Sequence, residues 1–256
     1  MSNNATITLK SVKKSFVGRT VVDIDSLTLG TYPIEGLIGP NGAGKTTLMS
    51  LITGKLPADQ GEILFLPQDE SPINLSAYRL EEIARMGLVR TNQIIQDFDS
   101  LSIRDSLLLS LATPLHEKFF KLFSGRQLQQ DVEKEIDFYL DYFPFENSEG
   151  HALSAGEKKL LDIIRCLLLK PKFLLMDEPT AGLPHDLTKK VMELMQHKAE
   201  EEGLSILIVE HDLDLIWEVC EYVHFLAEGK LMTQGTPEEI RSNQTVAEKY
   251  MGAVHV

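Results

Sequence analysis

Eight consecutive residues, Gly39-Pro40-Asn41-Gly42-Ala43-Gly44-Lys45-Thr46, constrain this chain more than any other feature. They match G-x-x-x-x-G-K-[ST] at every fixed position. The apolar run Ile34–Ile38 stops just before them, and a helical pattern from Lys45 to Thr53 follows, with Gly54 as its C-cap. In such a strand–turn–helix unit, glycines let successive backbone N–H groups turn inward, and the helix adds the positive end of its dipole. The turn is therefore built to cradle phosphate. Lys45 brings a full charge to the β- and γ-phosphates, and the Thr46 hydroxyl is placed to ligate Mg2+. The candidate nucleotide-binding residues are Gly39, Pro40, Asn41, Gly42, Ala43, Gly44, Lys45, Thr46 and Thr47.

The rest of the chain reads as two kinds of structure. Thr6–Leu9 and Ser26–Leu29 alternate polar and apolar, and Glu62–Leu66 is a further strand after the turn Pro57–Gly61. The middle, about 94 to 170, turns helical. Ser102-Ile103-Arg104-Asp105 fits a capping box, and Leu128, Val132, Ile136, Tyr139 and Phe143 recur as one core-facing helical stripe. A small polar loop, Gly150–Gly156, then leads into a helix from Glu157 to about Leu169. Beyond it, strands Phe173–Met176 and Leu204–Val209 alternate with helices over Asp186–Glu201 and from Asp212 to about Tyr222. Thr236-Pro237-Glu238-Glu239 caps a last helix. Continuous apolar strands alternating with helices predict an α/β fold on a parallel sheet.

Composition excludes several alternatives. The 256 residues are 43% hydrophobic and 25% charged, a globular balance with material for one large domain or two small ones. No run approaches the ~18 apolar residues of a membrane span, and Met1–Asn4 shows no leader pattern, so a cytoplasmic location is expected. Acidic residues outnumber basic ones 38 to 25, for a net charge of −13. No nucleic-acid partner is expected, since that binding draws on Lys and Arg. Cys166 and Cys220 are isolated in apolar segments and read as buried free thiols.

A second acidic element completes the chemistry. Asp177-Glu178 ends the apolar strand Phe173–Met176, and the carboxyl end of a parallel strand faces the ligand crevice. Asp177 is the candidate Mg2+ ligand, and Glu178 the candidate general base for water attacking the γ-phosphate.

The order of these elements carries a resemblance. Gly39–Thr46, then Leu153-Ser154-Ala155-Gly156-Glu157, then Asp177-Glu178-Pro179-Thr180, then His211 resembles the ATP-binding subunit of an ABC protein over nearly the whole chain. The most specific element is the serine-led signature, with Ser154 placed 23 residues before Asp177. The resemblance implies a P-loop, RecA-like parallel-sheet core with an N-terminal antiparallel β subdomain (about 1–93 and 171–256). A helical subdomain carrying the signature (about 94–170) is inserted in this single domain of 1–256. It implies ATP hydrolysis with Mg2+, and a head-to-tail dimer, with itself or a second ABC ATPase, in which Ser154 and Gly156 of one chain complete the other chain's ATP site. His211 corresponds to the switch histidine on the γ-phosphate. Gln93 corresponds to the glutamine that touches Mg2+ and the attacking water. Phe16 corresponds to the aromatic that stacks on adenine.

Three positions depart from the family pattern, the mildest being Ala155 for the usual Gly. Glu157 replaces the usual Gln, which puts a carboxylate near a phosphate-handling site, and Pro184 stands where many relatives have Asp in the segment crossing the dimer seam. Gly87–Gln93, Val209–Leu213 and the tail Gly235–Ile240 resemble ATPases of branched-chain amino acid and urea importers. The tail is shared with the lipopolysaccharide-export ATPase. Gly156-Glu157-Lys158-Lys159 also resembles the soluble iron–sulfur assembly ATPase. The importer reading implies integral membrane permease subunits as partners, a solute-binding protein reached indirectly, and a position on the cytoplasmic face of the inner or plasma membrane.

Overall fold

A computed structural model of the chain describes residues 4–68, 70–91, 101–111, 126–145 and 153–252. It is an α/β structure on two sheets. The first is antiparallel, in the order β2-β1-β4-β5, from β1 (Thr6–Phe16), β2 (Arg19–Leu29), β4 (Gln60–Leu66) and β5 (Ile73–Asn74). The second runs β10-β9-β3-β8-β7-β6, from β3 (Ile34–Ile38), β6 (Leu88–Arg90), β7 (Phe173–Asp177), β8 (Ser205–Val209), β9 (Tyr222–Ala227) and β10 (Lys230–Gly235). Its neighbours from β9 to β6 are all parallel, and β10 closes the edge antiparallel to β9.

The apolar runs of β3, β7 and β8 follow from burial on both faces. Leu37, Phe173, Leu175, Leu207 and Val209 point into a core shared with the antiparallel sheet and with α1 (Lys45–Ile52). Ile34, Ile38, Leu174, Met176, Ile206 and Ile208 point the other way, into a core lined by helices. After the short α2 (Leu80–Arg85), those helices include α3 (Ile103–Leu111), α4 (Arg126–Tyr142) and α5 (Ala155–Leu168), which lie in sequence between β6 and β7. From the predicted stripe, Ile136, Tyr139 and Phe143 are fully buried and Val132 packs against them; the Leu128 side chain lies outside the described residues. Both cysteines are buried and free, and burial pushes both thiols upward in pKa.

Glu35 is the polar exception inside β3. Its carboxylate accepts hydrogen bonds from the backbone N–H of Gly30 (2.9 Å) and Tyr32 (3.0 Å), and lies 3.0 Å from His224 Nε2 on β9. A buried carboxylate is tolerable only with such partners.

The structure differs from the sequence reading in two places. The hairpin strands β1 and β2 extend to Phe16 and back from Arg19, through a Val17-Gly18 turn with positive φ at both residues (48° and 79°). The alternation that marks the strand's start breaks at Lys10-Ser11, both exposed, with Ser11 at φ 50°. The helix expected to reach Tyr222 is α7 (Leu213–Val219), and Tyr222 instead opens β9. Glu228-Gly229, at φ 52° and 77°, makes the tight turn into β10, the backbone twist that two-residue hairpins favour.

Candidate nucleotide site

Register brings the functional ends together. Leu37 pairs with Val209, and Val209 with Asp177, so the segments after β3, β8 and β7 leave the sheet at one edge. Ligands of open α/β sheets bind at that carboxyl edge. Here one cleft is lined by Asn41–Thr47, Asp177, Glu178, His211, Val209 and Val21.

The loop is shaped by contacts that exclude side chains. Gly44 caps α1 at φ 102°, and a Cβ there would lie 2.6 Å from the Val21 carbonyl oxygen. That approach is closed to any larger residue. Lys45 runs beneath the loop, buried, and its ammonium donates to the carbonyls of Gly39 (2.6 Å) and Pro40 (3.2 Å). Burial lowers its pKa, while the charges of Glu178 and Asp177 act in the opposite sense. An anion in the cleft would thus meet a cation already held at the loop.

Asp177 is fixed from two sides by residues that precede Gln93. Arg90 Nη2 donates to its Oδ2 at 2.6 Å, and its own N–H donates to Thr91 Oγ1 at 3.0 Å. Arg90 Nη1 also donates to Ser50 Oγ (3.2 Å), whose hydroxyl donates to the Thr46 carbonyl (2.7 Å). The guanidinium therefore ties the acidic strand end to the helix behind the phosphate loop. Sequence reasoning placed Arg90 and Thr91 only on the approach to Gln93. Their contacts join positions 87 and 86 residues apart, which no local pattern reveals.

Glu178 and His211 meet across the cleft, with His211 Nε2 3.0 Å from Glu178 Oε1 and both side chains about half exposed. Buried Glu210 braces this pair. One oxygen accepts from Thr180 N–H (2.9 Å) and Oγ1 (2.6 Å), and the other from His211 N–H (3.2 Å).

Not every predicted residue lines this cleft: Gly39 and Pro40 instead turn their carbonyls onto the Lys45 ammonium. Neither Ser154, Gly156 nor Phe16 is among its lining residues, and Gln93 lies outside the described residues. Ser154 is the exposed N-cap of α5 and forms a capping box with Glu157. Its Oγ accepts from Glu157 N–H (3.2 Å), and its N–H donates to Glu157 Oε2 (2.8 Å). The Glu157 carboxylate, whose role the sequence leaves open, is turned onto its own helix start. Pro184 begins α6 (His185–Glu202) as an N-cap without a capping side chain. Phe16 ends β1 at 41% exposure, with Lys14 Nζ 5.6 Å from its ring centroid, so it is not a core residue.

The donor set fits Mg2+ and a nucleotide. Among the described residues no three His, Cys, Asp or Glu side chains gather as a metal cage. One carboxylate and one hydroxyl facing a phosphate loop suit Mg2+, which keeps water and shares ligands with phosphate.

Fold and cleft together define a P-loop nucleotide hydrolase. The profile of the ABC transporter family matches residues 22–181. The lipopolysaccharide export system ATP-binding protein LptB of Escherichia coli is 34% identical over 250 residues, covering 97% of this chain and 98% of that protein. The high-affinity branched-chain amino acid transport ATP-binding protein LivG of Escherichia coli is 33% identical over 238 residues, covering 90% and 91%. An ATP-binding cassette of an ABC transporter in its ADP conformation superposes with a TM-score of 0.79 at 25% identity, over 97% of this chain and 99% of that one. The chain belongs to the ABC transporter family and is one of its ATP-hydrolysing subunits.

Proposed function

We propose that this ATPase energises uptake of branched-chain amino acids or a similar small solute through integral membrane permease subunits. A solute-binding protein would feed those subunits. The observation that carries the reading is the Gly87–Gln93 stretch, which resembles the same stretch in ATPases of branched-chain amino acid and urea importers. It is supported by 33% identity to LivG. The 34% identity to LptB favours a second reading, lipopolysaccharide export. Among the described residues no helix is long and apolar enough to cross a membrane. The transport path would therefore belong to partners, with this subunit peripheral on the cytoplasmic face.

In the mechanism proposed, the N–H groups of the Gly39–Thr47 loop and the Lys45 ammonium bind the β- and γ-phosphates. Asp177 and Thr46 would hold Mg2+, with Gln93 as a further ligand; the ion supplies charge neutralisation on the phosphates. Glu178 accepts the proton of the water that attacks the γ-phosphorus, as the bond to the β–γ bridging oxygen breaks. His211 orients Glu178 and the γ-phosphate. Ser154 and Gly156 serve the site of a second ATPase chain. Their place outside the cleft, with Ser154 exposed at the start of α5, supports this reading. The same reading divides the chain into a core (about 1–93 and 171–256) and a helical arm (about 94–170).

A pull-down tests the proposal. Glu178→Gln protein with ATP and Mg2+ is passed over detergent-solubilised native membranes and over cytosol. Permease subunits that, reconstituted, import labelled leucine support the importer reading. Recovery of lipopolysaccharide-export membrane subunits selects the second reading, and soluble scaffold proteins alone would overturn both.

A further inference from the structure

We infer that Lys159 is a positioning residue for Glu178, and that through it the helix bearing Ser154 and Gly156 governs the base of its own chain. The inference rests on the reading of Glu178 as general base. Glu178 has φ 47°, in the left-handed region. For a non-glycine residue this conformation is strained and persists only where the surroundings over-determine it. Of the other such residues, Val17 and Glu228 sit in hairpin turns, Lys170 just after α5, and Ser11 where β1 shifts register against β4. Glu178 is in the cleft.

Three backbone contacts hold the strained unit. Its N–H donates to the Val209 carbonyl (2.8 Å), and its carbonyl accepts from Ala181 N–H (3.3 Å) and from the Lys159 ammonium. The ammonium contact is the charge-assisted one, and such bonds are about twice as strong as neutral ones. It acts on the carbonyl of the peptide unit that follows Glu178, and so fixes the ψ of the residue whose side chain must meet the water.

Lys159 belongs to α5, whose N-cap is Ser154. At 1.5 Å per residue the two lie about 7.5 Å apart along one rigid helix. A second contact joins the same partners. A Cβ on Gly156 would sit 3.0 Å from the Gly182 carbonyl and 3.2 Å from Leu183 Cδ2. The first turns of α5 therefore grip the segment from Glu178 to Leu183 at both ends. Any displacement of Ser154 and Gly156 as they engage a nucleotide is passed to the base of the same chain. Misplacement by about 1 Å can cost on the order of a hundredfold in rate, so a small shift suffices to gate hydrolysis.

The test is steady-state ATP hydrolysis by the full chain in its membrane complex, with Lys159→Met, Lys159→Gln and Lys159→Arg. Lys159→Met is expected to lower kcat about tenfold or more, with KM for ATP changed less than about twofold. Lys159→Arg, which restores a charged donor, should recover at least about half of the wild-type kcat. Lys159→Gln, a neutral donor, should stay below Lys159→Arg and serves if Lys159→Met fails to fold. Wild-type kcat in Lys159→Met or Lys159→Gln, a raised KM with kcat unchanged, or no rescue by Arg would each overturn the inference. Glu178→Gln separates the two levels. If that variant hydrolyses normally, the base assignment itself falls; if it is dead while Lys159→Met is normal, the Lys159 role alone falls.

Discussion

The phosphate-loop cleft and the signature helix start are built to opposite plans. In the cleft, each acidic or basic group is held by others of the same chain: Lys45 by two loop carbonyls, Asp177 by Arg90, Glu178 by His211, and His211 by Glu210. At the signature, Ser154 is exposed, and its capping box with Glu157 satisfies the helix start. One region is assembled within the chain. The other presents a capped helix end that does not line that cleft.

That contrast can be broken or sharpened by substitution. The largest effect is expected from Glu178→Gln, which removes the proton acceptor and should slow hydrolysis by about 10²–10⁴-fold while ATP still binds. Single-turnover kinetics with labelled ATP would show it, and a wild-type rate would mean that the cleft lacks its base. Next comes Lys45→Ala, which deletes charged hydrogen bonds of about 1.5–3 kcal/mol. ATP affinity by titration calorimetry should fall roughly tenfold to a hundredfold, and unchanged affinity would remove the phosphate-loop assignment. Ser154→Arg should act on the other region alone. Light scattering of the Glu178→Gln background should lose its ATP-dependent dimer, with monomer affinity for ATP kept. If the dimer survives, the signature is not a half-site. Phe16→Ala is the smallest, a loss of about 1 kcal/mol of stacking and a several-fold weaker ATP affinity. An equal loss for tripolyphosphate would show that Phe16 does not touch the base.

The two regions also differed in how far they could be read in advance. The loop, Asp177-Glu178 and His211 were legible because each follows an apolar strand, and strand ends in a parallel sheet share one edge. Register then set Leu37, Val209 and Asp177 side by side, as that rule requires. The braces were not legible. Arg90, Glu210 and Lys159 act across 87, 30 and 19 residues, and a charge in a local pattern looks the same whether it meets water or a carboxylate. Glu157 shows the converse case, a residue whose role the sequence leaves open. Its three-residue spacing from a serine N-cap is the spacing of a capping box, and that is the contact its carboxylate makes. The β9–β10 hairpin was hidden for another reason. Trp217, Val219 and Cys220 continue an apolar helical pattern into Tyr222, and Glu228-Gly229 lacks the asparagine or aspartate that usually announces such a turn.

The central sheet's alternation has a bearing on the loop that crowns it. Odd and even residues of β3 serve different cores, Leu37 one and Ile38 the other. A slip of β3 by one position would empty a place in both cores and carry Glu35 away from His224. The chain cannot trade a little error in one core for comfort in the other. The aim of the phosphate loop is thus set below it, as a sight is set by the stock, and a core substitution far from any nucleotide can spoil the aim without touching the loop.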